Sequence, residues 1–342
     1  MKTGIIKRTI REILLFVILF GLTFYIIFKD QDFTKIFSII GNANLKYIFL
    51  GILFMFLYFL TESYNVKKIL KSFGDKVSLF KMLKFTFIGF FFSAITPAAS
   101  GGQPMEIYYM SKEKISGPNA TLALLIQLCG FQIGTILLGV TCAIINPHIL
   151  NRDILWLYIL GISINVIALT VMLIGVFSKK LTEKMVNLFI NILKFFRFNK
   201  LDSKKDKIEE SLHKYNESSN YIKSHKKEFV KSVLRVFIQI IFYHLIPFCV
   251  YKAFGLSNCN IFKLFTMQAV LYSTVSSLPL PGAVGISEAV FISIFHPVFG
   301  KKLIKSALIL NRGINFYLYL LLSLIVASIN AIRIKRITSN NK

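Results

Sequence analysis

Six apolar runs dominate this chain: Ile13–Phe28, Leu45–Leu60, Ala120–Ile145, Ile154–Phe177, Phe229–Phe254 and Leu303–Ile332. A helix crossing the hydrocarbon core of a bilayer needs about 20 predominantly apolar residues. The last four runs meet that length, and the first two are expected to extend into their flanks. Of the 342 residues, 55% are hydrophobic and 17% charged, against roughly 25% charged in a soluble domain. So much apolar side chain cannot be hidden from water in a soluble core. The fold class read from the residues is an all-α polytopic integral membrane protein. Disorder, collagen-like repeats and a disulfide-stapled secreted scaffold are excluded.

The chain holds 41 Lys and Arg against 16 Asp and Glu, a formal charge of +25. On a soluble chain this would suggest nucleic acid. On a membrane protein it marks loops that face anionic headgroups. No RNA- or DNA-binding module is visible, so nucleic acid is not an expected partner. Cys129, Cys142, Cys249 and Cys259 show no CxxC spacing, and neither a metal site nor a disulfide framework follows. No cofactor motif appears. The stretch Met1–Phe28 imitates a signal peptide but is followed by Lys29-Asp30-Gln31-Asp32, with no small-residue cleavage pattern, and reads as a retained first span.

Two further segments are apolar but interrupted. Met82–Met110 breaks at Thr96–Pro104 (TPAASGGQP), and Phe262–Phe299 breaks at Leu278–Gly285 (LPLPGAVG). Each arm is short for a span and each break is rich in Pro and Gly. Backbone released from helical bonding cannot face lipid, so it must be buried in protein or line a wet cavity. Both segments therefore read as re-entrant or broken helices, as in transporters. The expected architecture is about six full spans plus these two elements.

The distribution of Lys and Arg assigns sides. With the N-terminus inside and each interrupted segment returning to its starting side, inside pieces carry 29 basic residues and outside pieces 8. Residues 178–228 alone hold 13 of them, and the positive-inside rule places that stretch in the cytoplasm. Both termini are then cytoplasmic, and the two interrupted segments open to opposite faces. Within 178–228, Met185, Leu188, Phe189, Ile192, Phe195 and Phe196 recur at helical spacing among basic residues, the pattern of an interfacial helix. The rest of that stretch reads as a charged loop or helix pair, too short for a soluble catalytic domain. The whole chain, 1–342, reads as one transmembrane domain.

Ionisable groups within membrane runs cost roughly 2.5–3.5 kcal/mol or more at a helix centre, and mark function or a buried partner. Three stand out: Glu106, Glu288 and Arg312. Glu106 follows Pro97, and Glu288 follows Pro279, at the same spacing, with Gly101 and Gly102 in one interval and Gly282 and Gly285 in the other. This order suggests an internal repeat of opposite orientation. Glycines permit close backbone approach, and free N–H groups at a helix start hold anions. A phosphodiester headgroup is such an anion, and Arg312 could pair with it. Alternatively, Arg312 neutralises Glu288 and no ligand is involved. Gln127, Gln132, Gln239, Gln268, Asn165, Asn311 and Asn315 read as helix-to-helix bonding groups, His244 as a packing residue, and Glu62 as a charge solvated at the inner end of its span. No nucleotide loop, zinc pattern or Ser/His/Asp array is present.

The segments TPAASGGQPMEIYYMSKEKIS and SSLPLPGAVGISEAVFISIF, with LNRGINFYLYLLL around Arg312, resemble the membrane domain of bacterial lysylphosphatidylglycerol synthase, the multiple peptide resistance factor family. The resemblance spans roughly residues 5–335 and rests on Pro97, Gly101, Gly102, Pro104, Pro279, Pro281, Gly282, Gly285, Glu288 and Arg312. The family usually reads Pro-Gly-Gly where this chain has Pro281-Gly282-Ala283, a departure that disfavours a tight turn at 283. The resemblance implies a bacterial inner-membrane protein of the flippase-like, stand-alone form. It would bind or move an anionic or aminoacylated phospholipid between leaflets, in phospholipid metabolism and resistance to antimicrobial peptides. The full-length family adds a cytosolic acyltransferase that uses aminoacyl-tRNA. This chain ends ten residues after Ile332, and that domain is expected to be missing, so no catalytic residues are assigned. The name phosphatidylglycerol lysyltransferase would then attach by similarity alone. A membrane transferase, a small-solute transporter and a partner subunit of a separate lipid synthase or glycosyltransferase stay open as alternatives, as does homo-oligomerisation.

Overall fold

A computed structural model describes residues 33–96, 99–178, 184, 205–278 and 283–340. The run Ile13–Phe28, most of the interfacial stretch 181–196, and Pro97, Pro279, Pro281 and Gly282 lie outside the described residues. Every regular element among those described is a helix: α1 (Phe33–Gly41), α2 (Leu45–Ser72), α3 (Leu79–Ile95), α4 (Gly102–Lys112), α5 (Gly117–Ile145), α6 (Arg152–Phe177), α7 (Lys205–Ser224), α8 (Lys226–His244), α9 (Ile246–Ala253), α10 (Ile261–Val275), α11 (Ile286–Arg312) and α12 (Leu318–Asn340). A 3₁₀ turn at Pro147–Ile149 precedes α6, and a π-helical turn at Gly313–Tyr317 joins α11 to α12.

Among the described residues, five stretches are long and apolar enough to cross a membrane: Leu45–Ser72, Gly117–Ile145, Ile154–Phe177, Lys226–Ala253 and Ile286–Arg333. Together with the burial pattern, they make the chain an all-α polytopic membrane protein. Leu53, Trp156, Ile167, Leu234, Ile325 and Ile329 point outward and exposed, whereas Asn65, Gln239, Gln268 and His244 are buried. This reverses the usual disposition of a soluble protein and suits a surface whose solvent is lipid. The short run at Leu45 does extend, ending at Ser72. The last span follows a non-helical break at Gly300 (φ 66°, ψ 171°), which ends the second arm of the interrupted segment, in keeping with the expected start near Leu303.

Both interrupted segments are hairpins. Helix α3 has 17 residues and α4 has 11, or about 26 and 17 Å at 1.5 Å per residue, short of the roughly 30 Å hydrocarbon core. Glu113, just past α4, pairs with Lys84 in the first turns of α3 and lies 3.4 Å from Lys81, so the two arms start and finish at one face. Asp75 and Asn119 share that face through a 2.7 Å bond, and Ser218 of α7 donates to Asn119 at 2.7 Å. The second hairpin, α10 and α11 up to Gly300, belongs to the opposite face. There Asn146 donates to Thr266 at 2.9 Å, Asn151 donates to Ser293 at 3.2 Å, and Phe299 meets Tyr251 and Phe254. Several helices at this face start on asparagine caps. Asn44, Asn151 and Asn260 accept N–H bonds from Lys46, Ile154 and Lys263, satisfying donors that a helix start leaves orphaned.

Packing exposes an internal exchange. Helix α5, which follows the first hairpin, packs along α10 of the second, and α12, which follows the second hairpin, packs along α3 of the first. Helices α2 and α8, each preceding a hairpin, pack against one another. Ala99 and Ala283 both adopt positive φ, 54° and 51°. Each stands two places after a proline and two before the glycine, Gly101 or Gly285, that begins the returning helix. This geometry corrects the register read from spacing. Pro97 corresponds to Pro281, not to Pro279, so Glu288 corresponds to Pro104, and Glu106 lies two residues further along its helix. The carboxylates are not equivalents. Ala283 also makes the turn that its side chain was expected to disfavour. A left-handed conformation costs an L-residue about 1–2 kcal/mol. Ala283→Gly is therefore expected to stabilise the protein by about 1 kcal/mol, read as a raised melting temperature in detergent.

Candidate functional site

The two breaks meet the same cavity, which holds about 540 Å³. Ala99, Ser100, Gln103 and Glu106 line it from the first hairpin, and Ser276, Ser277, Ala283 and Ser287 from the second. Helices α2, α5, α6 and α8 supply Glu62, Gln127, Asn165 and Tyr243, and the final span supplies Asn311, Arg312 and Asn315.

Glu288 and Arg312 form a buried ion pair, their side chains 6% and 11% exposed. Arg312 Nε donates to Glu288 Oε1 at 2.7 Å. The other carboxylate oxygen accepts from the Gly285 N–H at 2.7 Å and from the Ser287 hydroxyl at 2.9 Å. Arg312 also donates to the Ser287 hydroxyl oxygen and stacks 5.1 Å over the Phe316 ring. Local sequence explains the arrangement. Glu288 is the third residue of α11, where a carboxylate reaches back to cap the first N–H and faces the positive end of the helix dipole. The π-helical turn after Arg312 belongs to a class of distortion frequent at functional sites. The alternative that Arg312 neutralises Glu288 is thus realised as a contact, and of its members Arg312 and Ser287 reach the cavity wall.

Glu106 is set differently. It is 5% exposed, and among the described residues its carboxylate has no hydrogen-bond or ion-pair partner. Room for it exists because position 89 is glycine: a Cβ there would stand 1.7 Å from Glu106 Oε1. Gly102 plays the same part for the turn, since a Cβ on it would lie 1.9 Å from Ser93 Oγ and 2.9 Å from the Gly89 carbonyl oxygen. The Gly101 N–H donates to Thr96 Oγ1 at 2.9 Å. Pro104 lies in the first turn of α4, where a missing N–H is tolerated.

Glu62 is the residue that the sequence concealed. It faces the cavity rather than the lipid interface, and it accepts from Gln239 Nε2 at 3.0 Å. A chain of amides stands behind it. Gln127 donates to Gln239 at 2.7 Å, Asn65 donates to Gln127 at 2.5 Å and to Ser232 at 2.8 Å, and Arg235 donates to Asn65 at 3.2 Å. These groups bind α2, α5 and α8 together, the helix-to-helix role read for Gln127 and Gln239. Asn165 likewise holds the second break, donating to the Ser273 carbonyl at 3.2 Å and accepting from Ser277 Oγ at 2.6 Å. His244 packs among Tyr243, Phe265 and Tyr272, its Nδ1 2.7 Å from the Ile240 carbonyl. By contrast, the side-chain oxygens of Gln268, Asn311 and Asn315 are buried without a hydrogen-bond partner, and all three residues line the cavity. Buried polar atoms are normally satisfied; among the described residues these three stand unbonded on residues of the cavity wall.

The arrangement can therefore accept a polar, charged group from either sign of contact, in a space walled by Tyr and Phe rings. It is too small for a whole phospholipid and of the size of a headgroup. The family described as lysylphosphatidylglycerol synthase TM region matches residues 12–323 of this chain. No curated protein matches it.

Proposed function

Starting from the fact that the chain belongs to the lysylphosphatidylglycerol synthase TM region family, we propose that it moves a phospholipid, anionic or aminoacylated, between the leaflets of a bacterial cell membrane. The headgroup enters the cavity between the two hairpins while the acyl chains stay in lipid. The observation that carries this reading is the convergence of both breaks on one polar cavity, with unbonded amides and a buried ion pair in its wall. Broken helices that meet from opposite faces recur at the substrate sites of alternating-access transporters. In this reading Glu106, Glu288 and Arg312 contact the headgroup. Gly101, Gly102, Pro104 and Gly285 shape the breaks, Pro97, Pro279, Pro281 and Gly282 belong to the same two stretches of sequence, and the chain acts as one flippase-like transmembrane domain.

The test is reconstitution into vesicles containing a fluorescent phosphatidylglycerol and a membrane-impermeant quencher. Expected is a second, slower phase of quenching that needs the protein and is lost in the double variant Glu288→Gln/Arg312→Met, which keeps the fold. Quenching that stops at the outer-leaflet fraction, with correctly folded protein present, contradicts the reading.

Sidedness has its own test. Asn220 in α7 and His148 near the 3₁₀ turn are exposed on opposite faces. With the native cysteines replaced, Asn220→Cys is expected to resist an impermeant thiol reagent in intact cells while His148→Cys reacts. The reverse pattern overturns the orientation.

A further inference from the structure

Glu62 and Glu106 have no role in the ion pair, and their electrostatics are unresolved by it. Each lines the cavity, and α3 brings them together: Ser63, next to Glu62, donates to Thr86 at 2.9 Å, one helical turn before Gly89, against which the Glu106 carboxylate lies. Among the described residues, the other titratable groups facing this space are Tyr58 on α2, Tyr243 on α8, Tyr272 on α10, and Arg312 on α11, whose ion-pair partner is Glu288; α3 and α5 present only neutral side chains to it. Arg312 is the one cation among them, and it is bound to Glu288 at 2.7 Å. Arg235, the nearest cation on α8 in the amide chain, is held by Asn65. Two ionised carboxylates would therefore share one low-dielectric cavity with no counter-cation of their own among the described residues. Such a pair holds a proton or a cation. Gln268, 1% exposed with an unbonded side-chain oxygen on the same cavity, is a second, independent acceptor waiting there.

We propose that Glu62 and Glu106 form a proton-exchange site that couples lipid movement to a proton gradient. Glu62 already accepts a bond from Gln239, whereas Glu106 has no donor to stabilise its charge, so the proton resides on Glu106. Hydronium entering from one face transfers a proton to a Glu106 carboxylate oxygen, forming an O–H bond and leaving water; release to water at the other face reverses the step. A cationic group on the cargo competes for the same two carboxylates, so cargo and proton occupy the site in turn and travel in opposite directions. The coupling rests on the translocation reading above, but the proton site does not.

Two experiments separate them. In purified protein, infrared difference spectra recorded across pH are expected to show a protonated-carboxyl band that Glu106→Gln removes. Glu62→Gln is expected to keep the band and move its titration to lower pH, because the neighbouring negative charge is gone. In vesicles of phosphatidylethanolamine and phosphatidylglycerol, an imposed pH gradient is expected to accelerate lipid movement several-fold. A sodium gradient is expected to do nothing, and in Glu106→Gln the ratio of rates with and without the pH gradient falls to one. A band that survives Glu106→Gln, or movement driven by sodium instead of protons, overturns the proposal. A band that behaves as expected in protein that moves no lipid supports the proton site and sinks the translocation reading.

Discussion

Arg312→Ala is expected to remove most of the folded protein, and Glu288→Gln to weaken it less, while the double replacement Glu288→Gln/Arg312→Met returns the folded amount without returning function. The asymmetry follows from what each change leaves behind. Truncating Arg312 strands a buried carboxylate, and breaking one side of a buried pair costs about 3–5 kcal/mol, a large part of a typical stability of about 5–15 kcal/mol. In Glu288→Gln the amide oxygen still accepts from Gly285 or Ser287, but the guanidinium keeps its charge without its counter-ion. Replacing both partners with groups of similar volume removes the desolvation problem altogether. Folded yield by detergent size exclusion and lipid movement in vesicles are the two readouts. A double variant that folds but stays inactive assigns the pair to the headgroup. One that recovers lipid movement reduces the pair to a structural clasp.

Gly161→Ala is the second large effect. Gly161 lies on α6 against the last turn of α10, where the second break begins. An added Cβ would stand 2.4 Å from the Thr274 carbonyl oxygen and 2.7 Å from that of Ser273. Those atoms are backbone and cannot rotate away, so α6 must withdraw from α10. That also stretches the Asn165 bond to the Ser273 carbonyl, now 3.2 Å. Overpacking of this kind costs about 1–3 kcal/mol, and here it falls on the element that shapes the cavity. A melting temperature lowered by several degrees, with reduced lipid movement, is expected. Gly41→Ala, where nothing lies within 4 Å of the new Cβ, should leave both unchanged.

Much of this was legible in the chain itself. Apolar runs long enough for spans do form them, and the two Pro- and Gly-rich breaks do interrupt hairpins, because a bilayer leaves the backbone few alternatives. Glu288 and Arg312 were legible as buried charges for the same reason. What escaped depends on contacts between distant segments. Glu62 sits near the polar end of a run, where an interfacial charge is unremarkable; only Gln239, 177 positions away, reveals that it faces inward. Gly89 is silent until the Glu106 carboxylate is seen lying against it. The register of the repeat was misread because spacing counted from Pro279 matched by chance, whereas the positive φ at Ala99 and Ala283 aligns the turns themselves.

The central claim is that a lipid headgroup occupies the space between the two breaks. It is tested most directly with a phospholipid carrying a photoreactive headgroup, reconstituted with the protein, irradiated and mapped by peptide mass spectrometry. The account predicts label on both hairpins, within 99–112 and 276–291, and on the Asn311–Asn315 turn, with competition by unlabelled lipid. Label confined to outward-facing residues such as Leu321, Ile325 and Ile329, unaffected by competitor, would contradict it.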